Sequence, residues 1–130
     1  MTQGETFLAG ETFRPANRAI DIHLWVIISD PQQDPSRILI VSLTTYKPYK
    51  ESACLLQKGD HRAINHETCI AYDLAKITTI VQLQEANAKG WLKADDPVSA
   101  EILRRIREGA AQSRKMDIEH FELLDAQGLI

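Results

Sequence analysis

The sequence predicts an α+β protein, mainly β with a helical C-terminal part, and three observations predict it. Two β-branched apolar runs, His23-Leu-Trp-Val-Ile-Ile-Ser-Asp-Pro31 and Ile38-Leu-Ile-Val-Ser-Leu-Thr-Thr45, are joined by a short connector rich in Pro, Asp and Gln, and such runs read as buried strands. Shorter strand-like segments follow as far as residue 84. After Gly90 the apolar period becomes that of a helix. Five or six short strands followed by helices suit a small β-barrel or a strongly bent sheet, with the helices packed over one end.

Each element has its own signal. Residues 1–18 are polar and rich in Gly, Thr and Glu, with Phe7 and Phe13 as the large apolar anchors, and are expected to form an N-terminal arm. Strands are expected across residues 19–84. Ala19 to Ser29 is the first, and Asp30 to Ser36 is a turn in which Pro31 and Pro35 block helix and ladder alike. Ile38 to Leu43 is the second strand, and Tyr46-Lys-Pro-Tyr-Lys-Glu-Ser52 is a loop. Ala53 to Leu56 is a short strand that ends at the turn signal Lys58-Gly-Asp-His61. Glu67 to Tyr72 is another, and Ala75 to Gln84 continues as a further strand because Ile77-Thr-Thr-Ile-Val81 is β-branched. Asp96-Pro97 starts a helix, with Asp as N-cap and Pro at the first position. Ile102, Leu103, Ile106 and Ala110 recur at helical spacing, and Glu101 stands four residues before Arg105. Asp117 to Leu124 forms a last helix with Ile118, Phe121 and Leu124 on one face, so the helical part covers residues 97–125 of a single domain spanning 1–130.

Composition narrows the function classes. A net charge of −3 argues against a protein that coats nucleic acid by bulk electrostatics, although 15 Lys and Arg leave room for a local basic groove. No apolar run approaches the roughly 20 residues of a membrane helix, so no membrane partner is expected. The N-terminus, Met1-Thr-Gln-Gly-Glu-Thr6, lacks the basic start and apolar stretch of a signal peptide. Cys54 and Cys69 read as reduced core thiols of a cytoplasmic protein. His66 lies three residues before Cys69, but Cys54 has no such neighbour, so neither a metal nor another cofactor is expected.

The order strand, Pro/Asp loop, strand ending in Thr-Thr, later strands and C-terminal helix resembles the MazF/PemK toxin family. That family pairs a motif of the form Arg-Pro-Ala-Val-Val-Leu-Ser-Pro with a strand ending in Thr-Thr. Here His23-Leu-Trp-Val-Ile-Ile-Ser-Asp-Pro31 and Ile40-Val-Ser-Leu-Thr-Thr45 stand in the matching places. Cys69-Ile-Ala-Tyr-Asp-Leu-Ala-Lys-Ile77 is similar to the strand that leads to the family's Asp-Gln-Val-Lys-Ser-Ile stretch, so the resemblance covers roughly residues 20 to 110. It implies an SH3-like barrel, a homodimer with a groove at its interface, and a metal-independent endoribonuclease on single-stranded RNA that an antitoxin inhibits. Thr44 matches the family's catalytic threonine, whereas His23 stands where the family has its catalytic arginine. Arginine is a permanent cation and histidine near neutrality is not. That change favours an alternative from another class, a non-catalytic module binding a peptide or protein partner in the equivalent groove.

Metal-free RNA cleavage needs a base for the 2′-hydroxyl, an acid for the departing 5′-oxygen and donors for the developing phosphorane. Antiparallel pairing of the two long runs brings His23 and Thr44-Thr45 toward one sheet edge. If His61 converges with His23 beside Thr44, the two are the candidate acid/base pair, with Arg62 or Lys47 as phosphate clamp. Tyr46, Lys47, Tyr49 and Lys50 form an aromatic-basic loop of the kind that stacks bases and holds phosphates. Each has a plainer structural reading beside it. His23 suits a strand edge, His61 a turn held by Asp60, Thr44-Thr45 a strand end, and the Tyr/Lys loop a solvated surface. His66 reads as a cap on the following strand, and His120 takes no role. Arg104, Arg105 and Arg107 read as a solvated helix face partly balanced by Glu101 and Glu108.

Overall fold

The structure, a computed structural model, describes residues 1–10, 13 and 22–130. In chain order its elements are β1 (Thr6–Gly10), β2 (Ile22–Ile27), β3 (Ile38–Thr45), β4 (Leu55–Leu56), β5 (Thr68–Thr78), α1 (Ile80–Ala88), β6 (Leu92–Asp95), α2 (Ala100–Gln112) and α3 (Ile118–Ala126). The strands form one antiparallel sheet in the order β4-β5-β3-β2-β1-β6, which makes the protein α+β. Among the described residues no ladder joins β4 to β6, so the sheet is open rather than a closed barrel.

The two long runs are apolar throughout because both of their faces are covered. Leu24, Val26 and Ile28 pack with Leu39, Val41 and Leu43 beneath Ile102, Leu103 and Ile106 of α2 and Leu123 and Leu124 of α3. The alternate residues Trp25, Ile27, Ile38 and Ile40 pack on the other face with Phe7, Ala9, Leu92 and Leu83 and Ala86 of α1. Trp25 sits fully inside this second layer, with its indole Nε1 donating to the Ala9 carbonyl at 3.2 Å. Ser29 ends the first run by accepting the Leu39 amide on its hydroxyl at 2.8 Å, and Asp30 folds the Pro-rich connector by accepting from the Gln32 amide at 3.0 Å.

Four local expectations change. Thr6–Gly10, expected within an arm, is the strand β1 between β2 and β6. Its outward neighbour β6 buries only Leu92, which left no alternating pattern to read. The two strands expected at Glu67–Tyr72 and Ala75–Gln84 are one long strand and a helix. β5 runs on to Thr78 through an irregularity, with Ser42 opposite Ala71 but Ile40 opposite Lys76, so four residues of β5 face one of β3. Thr79 then caps α1 in a reciprocal box with Gln82, and this overrides the β-branched Ile80 and Val81. α2 starts three residues later than Pro97 suggests, because Ser99 is the residue whose hydroxyl accepts the Ile102 amide. α3 forms with Asp117 as its N-cap, but it buries Leu123 and Leu124 while Ile118 faces solvent. Residues 19–21 of the first expected strand lie outside the described residues. Among those residues no helix is long and apolar enough to cross a membrane.

α2 lies against β5 and the chain before β4 at one close approach. The buried Tyr72 hydroxyl donates to the Ile106 carbonyl at 2.6 Å. A Cβ on Gly109, one turn later, would run into that hydroxyl, 2.8 Å from the Cys54 Cβ and 3.0 Å from the Ala53 carbonyl oxygen. Two of these three neighbours cannot swing aside. Gly109→Ala should therefore lower the unfolding free energy by about 1–3 kcal/mol, as overpacking does, whereas Ala111→Gly on the exposed side should cost no more than about 1 kcal/mol; urea midpoints of the two variants check the contrast.

Candidate functional site

The register of the central strands builds the site. Trp25 pairs with Ser42 across β2 and β3, and the same register carried outward sets His23 opposite Thr44. Period-two alternation puts both on the Trp25 and Ser42 face, just where the covering helices give out. On the other flank of Thr44 stands Cys69 of β5. After Thr45 the chain doubles back in a turn closed by the Lys50 amide donating to the Lys47 carbonyl at 2.8 Å. That turn returns the Lys50 ammonium to the strand end, where it donates to Thr44 Oγ1 at 3.2 Å and to the Thr45 carbonyl at 2.7 Å.

Two clefts meet at this strand end. One of about 470 Å³ opens beside Leu24, Leu43, Ile64 and His66, and the other of about 270 Å³ beside Ser42, Cys69, Tyr49 and Lys115. His23, Thr44 and Lys50 line both and form the ridge between them. Lys50 takes a hydroxyl and a carbonyl as hydrogen-bond partners, and Glu51, Asp73 and Lys115 are the other charged residues that line the smaller cleft. Four arginines among the described residues take carboxylate partners, Arg105 with Asp60 among them. Arg37 pairs with Asp34, Arg62 with Asp95 and Asp96, and Arg104 with Glu101 and Glu108.

The sequence-predicted residues separate into two groups. His23, Thr44 and Lys50 come together at the ridge, and Tyr49, 81% exposed, lines the smaller cleft. Lys47 is exposed, and the Tyr46 amide extends the β3–β5 ladder by donating to the Glu67 carbonyl at 3.1 Å; neither side chain lines a cleft. His61 and Arg62 are not brought to Thr44. His61 is buried, its Nδ1 accepts the Ala63 amide at 3.0 Å, and its Nε2 lies 2.6 Å from the Asp96 carbonyl oxygen. The first bond requires a bare Nδ1, so Nε2 carries the proton and donates to Asp96. Arg62 sits beside it with Nε 2.6 Å from Asp95 Oδ1.

Sequence reasoning missed two residues here. His66 lines the larger cleft with its Nε2 2.8 Å from Thr45 Oγ1. The pairing of Thr45 with Thr68 was the available signal, because it draws the residues just before Thr68 alongside the Thr-Thr strand end. Lys115 reaches the smaller cleft because Glu51 accepts from the Ser113 hydroxyl and the Arg114 amide, tying the α2–α3 linker to the Lys47–Glu51 turn. Burial raises the Cys69 thiol above its ordinary pKa, so Cys69 stands at the cleft floor as a thiol rather than a nucleophilic thiolate. Both cysteines are free, and among the described residues no three His, Cys, Asp or Glu side chains are grouped to hold a metal ion.

The pinned loop between β4 and β5 generates two expectations. His61→Ala removes a buried ring with both nitrogens bonded, and should cost about 2–4 kcal/mol in a urea titration. The hydrogen bond from Arg62, aided by its charge, holds the Asp95 carboxyl below the usual carboxylate range. A depressed folded-state pKa adds stability that is present above the unfolded value, 3.8, and is lost as pH falls through the lower folded value. Between pH 6 and pH 2.5 the parent should therefore lose more stability than Asp95→Asn, which lacks that linkage; equal losses in thermal melts would contradict the assignment.

No protein-family model matches the chain, and a search of curated proteins finds no match, so the reading of this site rests on its geometry and on the residues themselves.

Proposed function

We propose that this chain is a MazF/PemK-like toxin, a metal-independent endoribonuclease that acts on single-stranded RNA and is held in check by an antitoxin. The observation that carries the reading is the convergence of His23, Thr44 and Lys50 on one ridge between two clefts. In this reading the RNA backbone crosses the ridge. His23 takes part in proton transfer at the 2′-hydroxyl, the Thr44 hydroxyl donates to a non-bridging oxygen, and Lys50 offsets the charge of the phosphorane. The Tyr49 ring, beside the smaller cleft, offers a face for a base. The products are a 2′,3′-cyclic phosphate and a free 5′-hydroxyl, with no metal-bound water required.

On this proposal the open sheet is a variant of the SH3-like barrel. The loop after edge strand β4 reaches the end of edge strand β6 through His61 and Arg62, which supports a rolled rather than flat arrangement. A homodimer, an antitoxin bound in a groove and a cytoplasmic setting enter through the resemblance, and the two buried free thiols suit a reducing compartment. Tyr49 and Leu74, both exposed at the smaller cleft, favour a second reading in which the same face binds a peptide without catalysis.

Incubating the full chain with a long single-stranded RNA in EDTA tests the proposal. The parent should cut the RNA, and His23→Ala should cut it at least about 100-fold more slowly, the usual contribution of a proton-transfer group. RNA left intact by both folded proteins would remove the nuclease and leave the peptide-binding module.

A further inference from the structure

We infer that His66, and not His61, is the second proton-transfer residue of the site, so that His23 and His66 form its acid/base pair. The inference rests on the ribonuclease reading above and gives it the partner it lacks. Cleavage through the 2′-hydroxyl moves two protons. The O2′–H bond breaks as the O2′–P bond forms, and the proton goes to a base; the P–O5′ bond breaks, and O5′ takes a proton from an acid. Atoms and charge balance without water or an oxidant, and solvent exchange afterwards resets the two groups. One imidazole cannot serve both ends of the same in-line displacement.

Four imidazoles are present in the sequence, and position decides among them. His61 is closed off, with its Nδ1 accepting from Ala63 and its Nε2 donating to Asp96. His120 lines neither cleft. His66 alone shares the cleft of about 470 Å³ with His23, and that volume lies within the roughly 300–1,000 Å³ of ligand sites.

The chain also holds His66 in place, as catalysis requires of a proton donor or acceptor. Its carbonyl accepts from the Thr68 hydroxyl at 3.0 Å, and the adjacent Glu67 carbonyl accepts from the Tyr46 amide at 3.1 Å. Its ring is fixed at Nε2 by the Thr45 hydroxyl, 2.8 Å away, while the Thr45 carbonyl accepts from Lys50. A phosphate on the Lys50 ammonium therefore lies beside the residue that orients His66. The charged and titratable groups facing it are few. His23 and Lys50 share the cleft, and the neighbouring Glu67 carboxylate accepts from Gln57 Nε2 at 2.8 Å.

The test compares His66→Ala and His66→Gln with the parent on single-stranded RNA in EDTA, across pH 5 to 9. Gln keeps a group that can bond Thr45 but cannot titrate, and it serves as the readout should the Ala variant fail to fold. Both variants are expected to lose at least about 100-fold in kcat with little change in KM, and the bell-shaped profile of the parent should lose one limb. A Gln variant as fast as the parent would reduce His66 to a structural tie and overturn the inference while the nuclease reading stands. A bell-shaped profile retained in either variant would overturn it equally. A parent that cuts no RNA removes both readings together.

Discussion

The Asp96 carbonyl oxygen accepts two hydrogen bonds of 2.6 Å, one from the Thr6 hydroxyl of β1 and one from the buried His61 ring. This pair of bonds joins the end of edge strand β6 to the loop that follows edge strand β4. A buried imidazole is costly to leave unpaired, so the His61 loop is constrained to the strand end. Arg62 reinforces the join from the solvent side through Asp95, and Arg105 of α2 does so from within by donating to the Leu55 carbonyl. What hangs from that anchor is the wall of the larger cleft, Ala63 through His66. His61 thus acts on the site at one remove. It sets where His66 stands, and its own ring never reaches the cleft.

The second constraint is double-sided burial. β2 and β3 are enclosed between α2 with α3 on one face and α1 on the other, which makes their centre rigid and apolar. Ser42 is the polar side chain buried within β3, and the half-buried His23 and Thr44 stand beyond it near the ends of β2 and β3. A titratable ring and a hydroxyl are therefore carried near the ends of the two central strands, while the cation Lys50 comes from a short turn directly after them. Positioning on strands gives the site precision, and the flanking turns give it charge and an aromatic face. Tyr49, Lys50 and Lys115 are also tied to the helical layer, because Glu51 bonds the α2–α3 linker.

Much of this was legible in the residues. The two central strands and their pairing follow from uninterrupted β-branched runs around a Pro-containing turn, and with them the approach of His23 to Thr44. α2 follows from Ile102, Leu103, Ile106 and Ala110, and α3 from the spacing of Ile118, Phe121 and Leu124. α1 was hidden because Ile77 to Val81 straddles a boundary; its first half ends β5 and its second half opens the helix, and only the spacing of Thr79 and Gln82 marks the change. β1 and β6 were hidden because each is short and takes its identity from its neighbours rather than from alternation. The exchange of His61 for His66 has a similar cause. Gly59-Asp60-His61 carries every mark of an exposed turn, and its burial depends on Asp96, 35 residues away, which no local pattern reveals.

We propose that one cleft at the end of β2 and β3 receives single-stranded RNA. Amide chemical-shift mapping with a 2′-O-methyl oligonucleotide, which binds but cannot be cut, tests it most directly. Shifts are expected to saturate together at His23, Thr44, Thr45, Lys50 and His66, with those of His61 and Arg62 small. Shifts centred instead on the groove of about 670 Å³ beside Gln3, Arg104 and Leu129, or none at any concentration, would contradict it.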